Sequence, residues 1–430
     1  MKRLTLLGLT LVFCLLSFII FVQAQDSMEV LFWTRPNPLW TEYWEKMAVK
    51  YNDTNPVIAG KKVTIKAMSM PTKPSSEAAI QMSIAAGTIV GGSENIVTGF
   101  ASLLASEGQL VALDELPGFW DLIKTRAMTT TIKRWTAPDG HIYIVPNFSN
   151  PKLYVWRIDI LKELGFEKPP VSYNEALELG KRLKEKYPDK FLMADDRMVD
   201  PTWWKRWGDF FPFYYANTNT PFMIGNKLTA NDKVAIEVFD FLHKLYENNY
   251  LLTAKVSDPF VQGLCVWKRI NSWDPVGWKK KYPEMVFGQN YIITGPIPST
   301  PAKTANFFTD EKGLVIYTKA SPEEKKAIWD FYKFVLSDPK NDALYFEITG
   351  VLPVRGDVTF NPIINYLLTP ETELWSKAVS LAIPSINHPK FSEIMEFIGI
   401  EGLVPAIKGE KSPEQAWIDV KVDIETLLER

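Results

Sequence analysis

Fourteen consecutive residues, Thr202–Tyr215 (TWWKRWGDFFPFYY), carry eight aromatic side chains: Trp203, Trp204, Trp207, Phe210, Phe211, Phe213, Tyr214 and Tyr215. Lys205, Arg206 and Asp209 are interleaved with them. Such a mixture suits a partner with flat C–H faces and many hydroxyls, of which a sugar ring is the type. The ring face stacks on indole, and the hydroxyls exchange hydrogen bonds with charged and amide side chains. Aromatic runs also build cores, so the segment is expected to divide between the two duties. On a helix Trp203 and Trp207 share a face and Trp204 points elsewhere.

Other chemistries find less support. Asp195, Asp196, Asp209, Asp274 and Asp310 are candidate acids for a carbohydrate-active enzyme of the glycoside hydrolase kind, which needs two carboxylates flanking one bond. No nucleophile-elbow sequence, phosphate-binding glycine loop or paired Cys–His signature is present. His141, His243 and His388 are far apart, so no metal-ligand spacing exists and neither metal nor cofactor is expected. A net charge of −2 gives no footprint for nucleic acid.

The N-terminus reads as an export leader over residues 1–24. Lys2 and Arg3 precede an apolar stretch from Leu6 to Val22, and Val22 and Ala24 precede a plausible cleavage bond. The alternative is an uncleaved anchor, because the stretch is long enough to span a bilayer. Cys14 falls inside it, which leaves Cys265 alone in the mature chain and no internal disulfide. A periplasmic or extracellular location follows.

Hydrophobic periodicity predicts strands at Met28–Trp33, Lys62–Ala67 and Asn95–Thr98, alternating with helices at Trp40–Tyr51, Ser75–Ala86 and Ser102–Glu107. That alternation predicts an α/β layer with a mostly parallel sheet. Ligands in such sheets bind beyond the strands' carboxyl ends, here Thr34–Asn37 and Gly99–Ala101. Two further strands, His141–Val145 and Leu153–Arg157, flank a stiff polar link, PNFSNP, that has the character of a domain crossing. Later helices are expected at Tyr173–Lys186, capped by Ser172 with Glu175 as its capping-box partner, and at Asp232–Asn248, Ser321–Leu336, Asn341–Thr349 and Pro413–Leu428. A strand is expected at Gly313–Tyr317.

Four stretches resemble the family 1 extracellular solute-binding proteins, the carbohydrate-binding components of ABC importers: PNPLWTEYWEKMAVKYNDTNP, YIVPNFSNPKLYVWRIDILKELGFEKPPVSYNEALELGKRL, ASPEEKKAIWDFYKFVLSDPKNDALYFEITGVLPVRGD and SPEQAWIDVKVDIETLLER. The resemblance implies an α/β two-lobe fold with a hinge and an interlobe ligand cleft. One lobe would take residues 25–145 and 304–354, the other 146–303 and 355–430. It further implies a monomer that closes on a small carbohydrate or polyol and docks on a membrane permease.

Within that frame Trp273, in INSWDP, looks like the family's cleft tryptophan, and Arg355, in VLPVRGD, matches a position near the cleft. Trp203, Trp204 and Trp207 offer a second platform. Asn37 and Trp40 follow the first strand, Phe100 follows the third, and Asn147 and Ser149 lie in the crossover. Phe307, Phe308 and Asp310 replace the small glycine-rich loops usual in the family, which would narrow the pocket. CVWKRINSW, with Trp267 and Arg269, likewise departs from the usual glycine-alanine-methionine pattern before the cleft tryptophan, so the identity of the ligand is not inherited.

Overall fold

The computed structural model describes residues 26–301 and 306–430. The leader over residues 1–24 and the expected return between lobes at 303/304 lie outside the described residues.

The first sheet is built outward from β1 (Ser27–Thr34), whose inward residues Val30 and Phe32 have no solvent exposure. Helix α1 (Pro38–Asn52) follows. Asn37 caps it by accepting from the Leu39 N–H, and Pro38 opens it. Its Trp40, Tyr43, Trp44, Met47 and Tyr51 all turn inward, with Trp44 packed edge-on to Phe32 at 4.8 Å. Strand β2 (Lys61–Ser69) pairs with β1 in parallel, Val30 opposite Ile65. Helix α2 (Ser76–Ala85) leads to β3 (Gly92–Ile96) and α3 (Thr98–Ser106).

The third strand therefore begins three residues earlier than hydrophobicity indicated, in a stretch of small and polar residues. A Cβ on Gly92 would lie 2.5 Å from the Tyr332 hydroxyl and 2.8 Å from Ile328. That strand is small because a helix packs directly on it, not because it is exposed. Thr98, expected to end the strand, instead opens the helix.

The polar link is a strand. Residues 141–144 have no regular structure, so the expected strand there is absent, and β4 (Val145–Pro151) replaces the link. It pairs antiparallel with the long strand 307–316, and the ladder shifts register next to Pro146. Two prolines are tolerated because β4 is an edge strand with a single neighbour. The chain changes sheets at Lys152 and enters β5 (Leu153–Arg157), an interior strand of a second sheet, next to its edge.

That second sheet also holds β6 (Phe191–Ala194), β7 (Cys265–Ile270), β8 (Tyr291–Thr294) and the short strand Leu251–Leu252. Helix α4 (Tyr173–Lys186) and α5 (Phe210–Asn217) precede α6 (Asp232–Glu247), and α7 (Asp274–Lys281) follows β7. Ser172 accepts from the Glu175 N–H, but the Glu175 carboxylate reaches back to the Val171 N–H, one residue beyond the expected box. The chain rejoins the first sheet in β9 (Phe307–Ile316), then forms the helix pair α8 (Pro322–Ser337) and α9 (Pro339–Thr349). Gly350 ends α9 at φ +70°, a conformation that favours glycine. Residues 382–383 add a short strand to β9, and α10 (Phe391–Phe397) and α11 (Pro413–Leu428) complete the second lobe.

Both sheets are mixed rather than mostly parallel. β9 runs antiparallel to β3 and β4, and β5 runs antiparallel to β7 and β8. The antiparallel strands β4, β5, β8 and β9 are those that lead into or out of the crossings between the sheets, a feature that strand–helix alternation does not reveal.

Candidate functional site

Strand ends from both lobes meet across the β4/β9 ribbon. Arg35 leaves the end of β1, Asp195 and Arg197 leave β6, and Asn271 leaves β7. In the ribbon's register Asp310 lies opposite Asn150 and Lys312 opposite Phe148, so these four share one face by the two-residue period of a strand. Lys152 extends the same row at the crossing.

One set of contacts joins the two sheets. Asn150 donates its amide to Asn271 Oδ1 at 3.0 Å, and the Ser272 N–H donates to Asn150 Oδ1 at 3.4 Å. Arg35 lies 4.2 Å over the Phe148 ring and 4.8 Å over Trp40, while its backbone N–H donates to Glu94. Asn147 donates to the other Glu94 oxygen at 2.9 Å. Lys152 Nζ and Lys312 Nζ approach the two Asp310 oxygens at 3.7 and 3.8 Å. Arg197 grips Asp195 with two hydrogen bonds of 2.8 Å, and Arg269 approaches the same carboxylate at 3.7 Å.

Burial dominates the electrostatics. It pushes the Lys152 ammonium down to about 8, against the pull of Asp310 and with the help of Arg197 and Lys312. Lys312 is lowered by burial as well. Glu94 and Asp274 are raised by burial, so both carboxyls are pushed toward their neutral forms. Burial would also raise Asp310, but Lys312, Lys152 and Arg35 outweigh it and hold that carboxylate below its ordinary range.

Of the residues singled out in the sequence, Trp40, Asn147 and Asp310 touch this cluster. Ser149 lies in the ribbon on its other face, its hydroxyl 2.7 Å from that of Thr309. Asn37 is occupied as the helix cap. Trp273 stands beside Ser272 at the end of β7 and is 37% exposed. Trp203 and Trp207 meet edge to face at 5.1 Å, and the Trp207 indole donates to Ser385 Oγ. Trp204 points away into solvent under Lys205. The five aromatic residues from Phe210 to Tyr215 are buried.

Three residues are engaged elsewhere. Phe100 is buried in the core of the first lobe, its apolar ring drawn in by α3. Phe308 is fully buried, stacked on Phe211 at 5.2 Å, and fills core rather than narrowing a pocket. Arg355 is 3% exposed and holds Asp357 with two hydrogen bonds, Asp342 with one and the Thr125 carbonyl with another. With those donors occupied, its guanidinium clamps the first lobe.

Arg35, Glu94, Asn150, Lys152, Arg197, Asn271 and Lys312 were not among the residues singled out. The SNPK run at the crossing carried a signal: alternating polar residues in a strand that joins two sheets must face something polar on one side.

Two grooves adjoin the region. One of about 200 Å³ is lined by Asp195, Asp196, Arg197 and Lys268 beyond β6. Another of about 540 Å³ runs between Lys133–Gly140 of the first lobe and Pro221–Gly225 of the second. The second is lined largely by apolar and backbone surface, and of the residues singled out above only Tyr215 lines it. The charged ribbon face, not this groove, is where convergent polar side chains are concentrated.

Residues 46–365 match the profile of the bacterial extracellular solute-binding proteins. A crystal structure of an uncharacterized protein from Listeria monocytogenes superposes with a TM-score of 0.87 at 40% identity, covering 94% of this chain and 100% of that one. The sugar-binding protein MalE of Xanthomonas citri gives 0.75 at 16% identity, covering 94% and 98%. The cyclic alpha-maltosyl-1,6-maltose binding protein of Arthrobacter globiformis gives 0.77 at 18% identity, covering 94% and 100%. With its two-lobe α/β fold and a profile match over most of its length, the chain belongs to the family of bacterial extracellular solute-binding proteins.

Proposed function

We propose that this protein captures a sugar or polyol between its lobes, outside the cytoplasm, and delivers it unchanged to the permease of an ABC importer. The observation that carries this reading is the Asn150–Asn271 hydrogen bond, which joins the crossover strand to a strand end of the second lobe amid unsatisfied polar atoms. Amides and charges of this kind exchange hydrogen bonds with hydroxyls, and the exposed Trp273 supplies a stacking face beside them. Contacts from both lobes give a ligand its differential affinity for the closed state. Sugar binding by two structural relatives supports the ligand class, and the family supports the location. The pocket is proposed to use Trp40, Asn147, Trp273 and Asp310 with Arg35, Asn150, Lys152 and Lys312, while Trp207, with Trp203 packed on it, forms the edge at Ser385.

A thermal-shift screen against sugars, inositols and uronates tests the reading, since a ligand of the folded state raises the melting temperature by mass action. A shift with one compound that is recovered chemically unchanged supports capture. Conversion of that compound would contradict it.

A further inference from the structure

On the ribbon face three cations gather on one carboxylate. Arg35, Lys152 and Lys312 all bear on the single carboxylate of Asp310, and Arg197 and Arg269 share Asp195. The two ion contacts to Asp310, at 3.7 and 3.8 Å, are long for charge-assisted hydrogen bonds, and Lys152 is 4% exposed. Arg35 Nη1, Arg269 Nε and Asp310 Oδ1 are buried without hydrogen-bond partners. Buried cations in excess of their counter-charges are costly unless an anion completes the set.

We propose that the cleft takes a ligand bearing an anionic group, a carboxylate or phosphate on a sugar-like frame, seated against Lys152, Lys312 and Arg35. This rests on the capture reading above and narrows it. The anion accepts from the ammonium and guanidinium donors that Asp310 alone cannot satisfy, and Asn150 and Asn271 remain to hold the hydroxyls. A neutral sugar would leave the excess charge where it is.

Calorimetric titration of the purified protein with matched pairs tests the proposal: glucuronate against glucose, galacturonate against galactose, and glucose 6-phosphate against glucose. The acidic member of at least one pair is expected to bind about tenfold tighter or more. Which acid binds separates a carboxylate from a phosphate. Raising the salt to about 0.3 M should erode that preference. Lys312→Met is expected to reduce it to about threefold or less, and Lys312→Arg to retain much of it. Should Lys312→Met fail to fold, Arg35→Gln at the half-buried rim reads the same loss. Equal or tighter binding of a neutral member would overturn the anionic inference and leave sugar capture standing. Binding by no member of any pair would overturn both.

Discussion

Removing the Asp342 carboxylate should unfold the protein long before it affects ligand recognition. Asp342 accepts two hydrogen bonds from Arg126 and one from Arg355, each 3.0 Å long, and all three residues are 1–4% exposed. Among the described residues Arg126 otherwise donates to the carbonyls of Leu336 and Val354, whereas Arg355 keeps Asp357. Asp342→Ala thus strands the Arg126 charge among neutral acceptors. Breaking a buried pair from one side costs about 3–5 kcal/mol. At roughly 2–4 °C per kcal/mol for a domain of this size, the melting temperature falls by about 6–20 °C. Circular dichroism melts measure the fall, and titration at low temperature measures affinity. A double variant, Arg126→Met with Asp342→Leu, should recover part of the loss by replacing charge with packing. A melting temperature within about 2 °C of the parent would refute the reasoning. Lost affinity with unchanged stability would do the same, returning Arg355 to the ligand.

Other perturbations have equally definite expectations. Glu311 is buried between Thr98 and the Ser385 N–H, and burial raises its carboxyl to about 8. A raised folded value means stability is present at low pH and lost as pH climbs from the ordinary carboxyl range to about 8. Glu311→Gln should therefore raise the melting temperature at about pH 8.5 and change it little near pH 5. Cys265 is buried and its thiol is pushed up to about 12, so it should resist alkylation until denaturant is added. Trp273→Ala should weaken ligand binding about tenfold or more with no change in melting temperature, and unaltered binding would remove it from the pocket. A Cβ at Gly99 would lie 2.1 Å from the Phe391 ring, so Gly99→Ala should destabilise this arrangement by about 1–3 kcal/mol, relieved by Phe391→Ala in the same chain.

Helices were the legible part of this sequence. Tyr173–Lys186 and Pro413–Leu428 form over the residues that caps and periodicity indicate, because Ser172, Ser412 and Pro413 mark their starts locally. β6, β7 and β8 were not foreseen. CVWKRI is a strand of the second sheet buried on both faces except at the half-buried Lys268, since Arg269 finds Asp195 only after folding. The site was partly legible for the same reason. Asn147 was singled out for its place in the crossover and Asp310 through the resemblance, but nothing local marked Lys152 and Lys312, which meet one carboxylate only after the strands pair. Arg355 misled because a buried clamp and a ligand fork require the same side chain, and its partners Asp342 and Thr125 come from separate segments.

Native mass spectrometry of the protein with the sugar and uronate panel tests the central claim most directly. The account predicts one ligand molecule per chain, released with its mass unchanged. A ligand released with altered mass, or no complex with any compound of the panel, would contradict it.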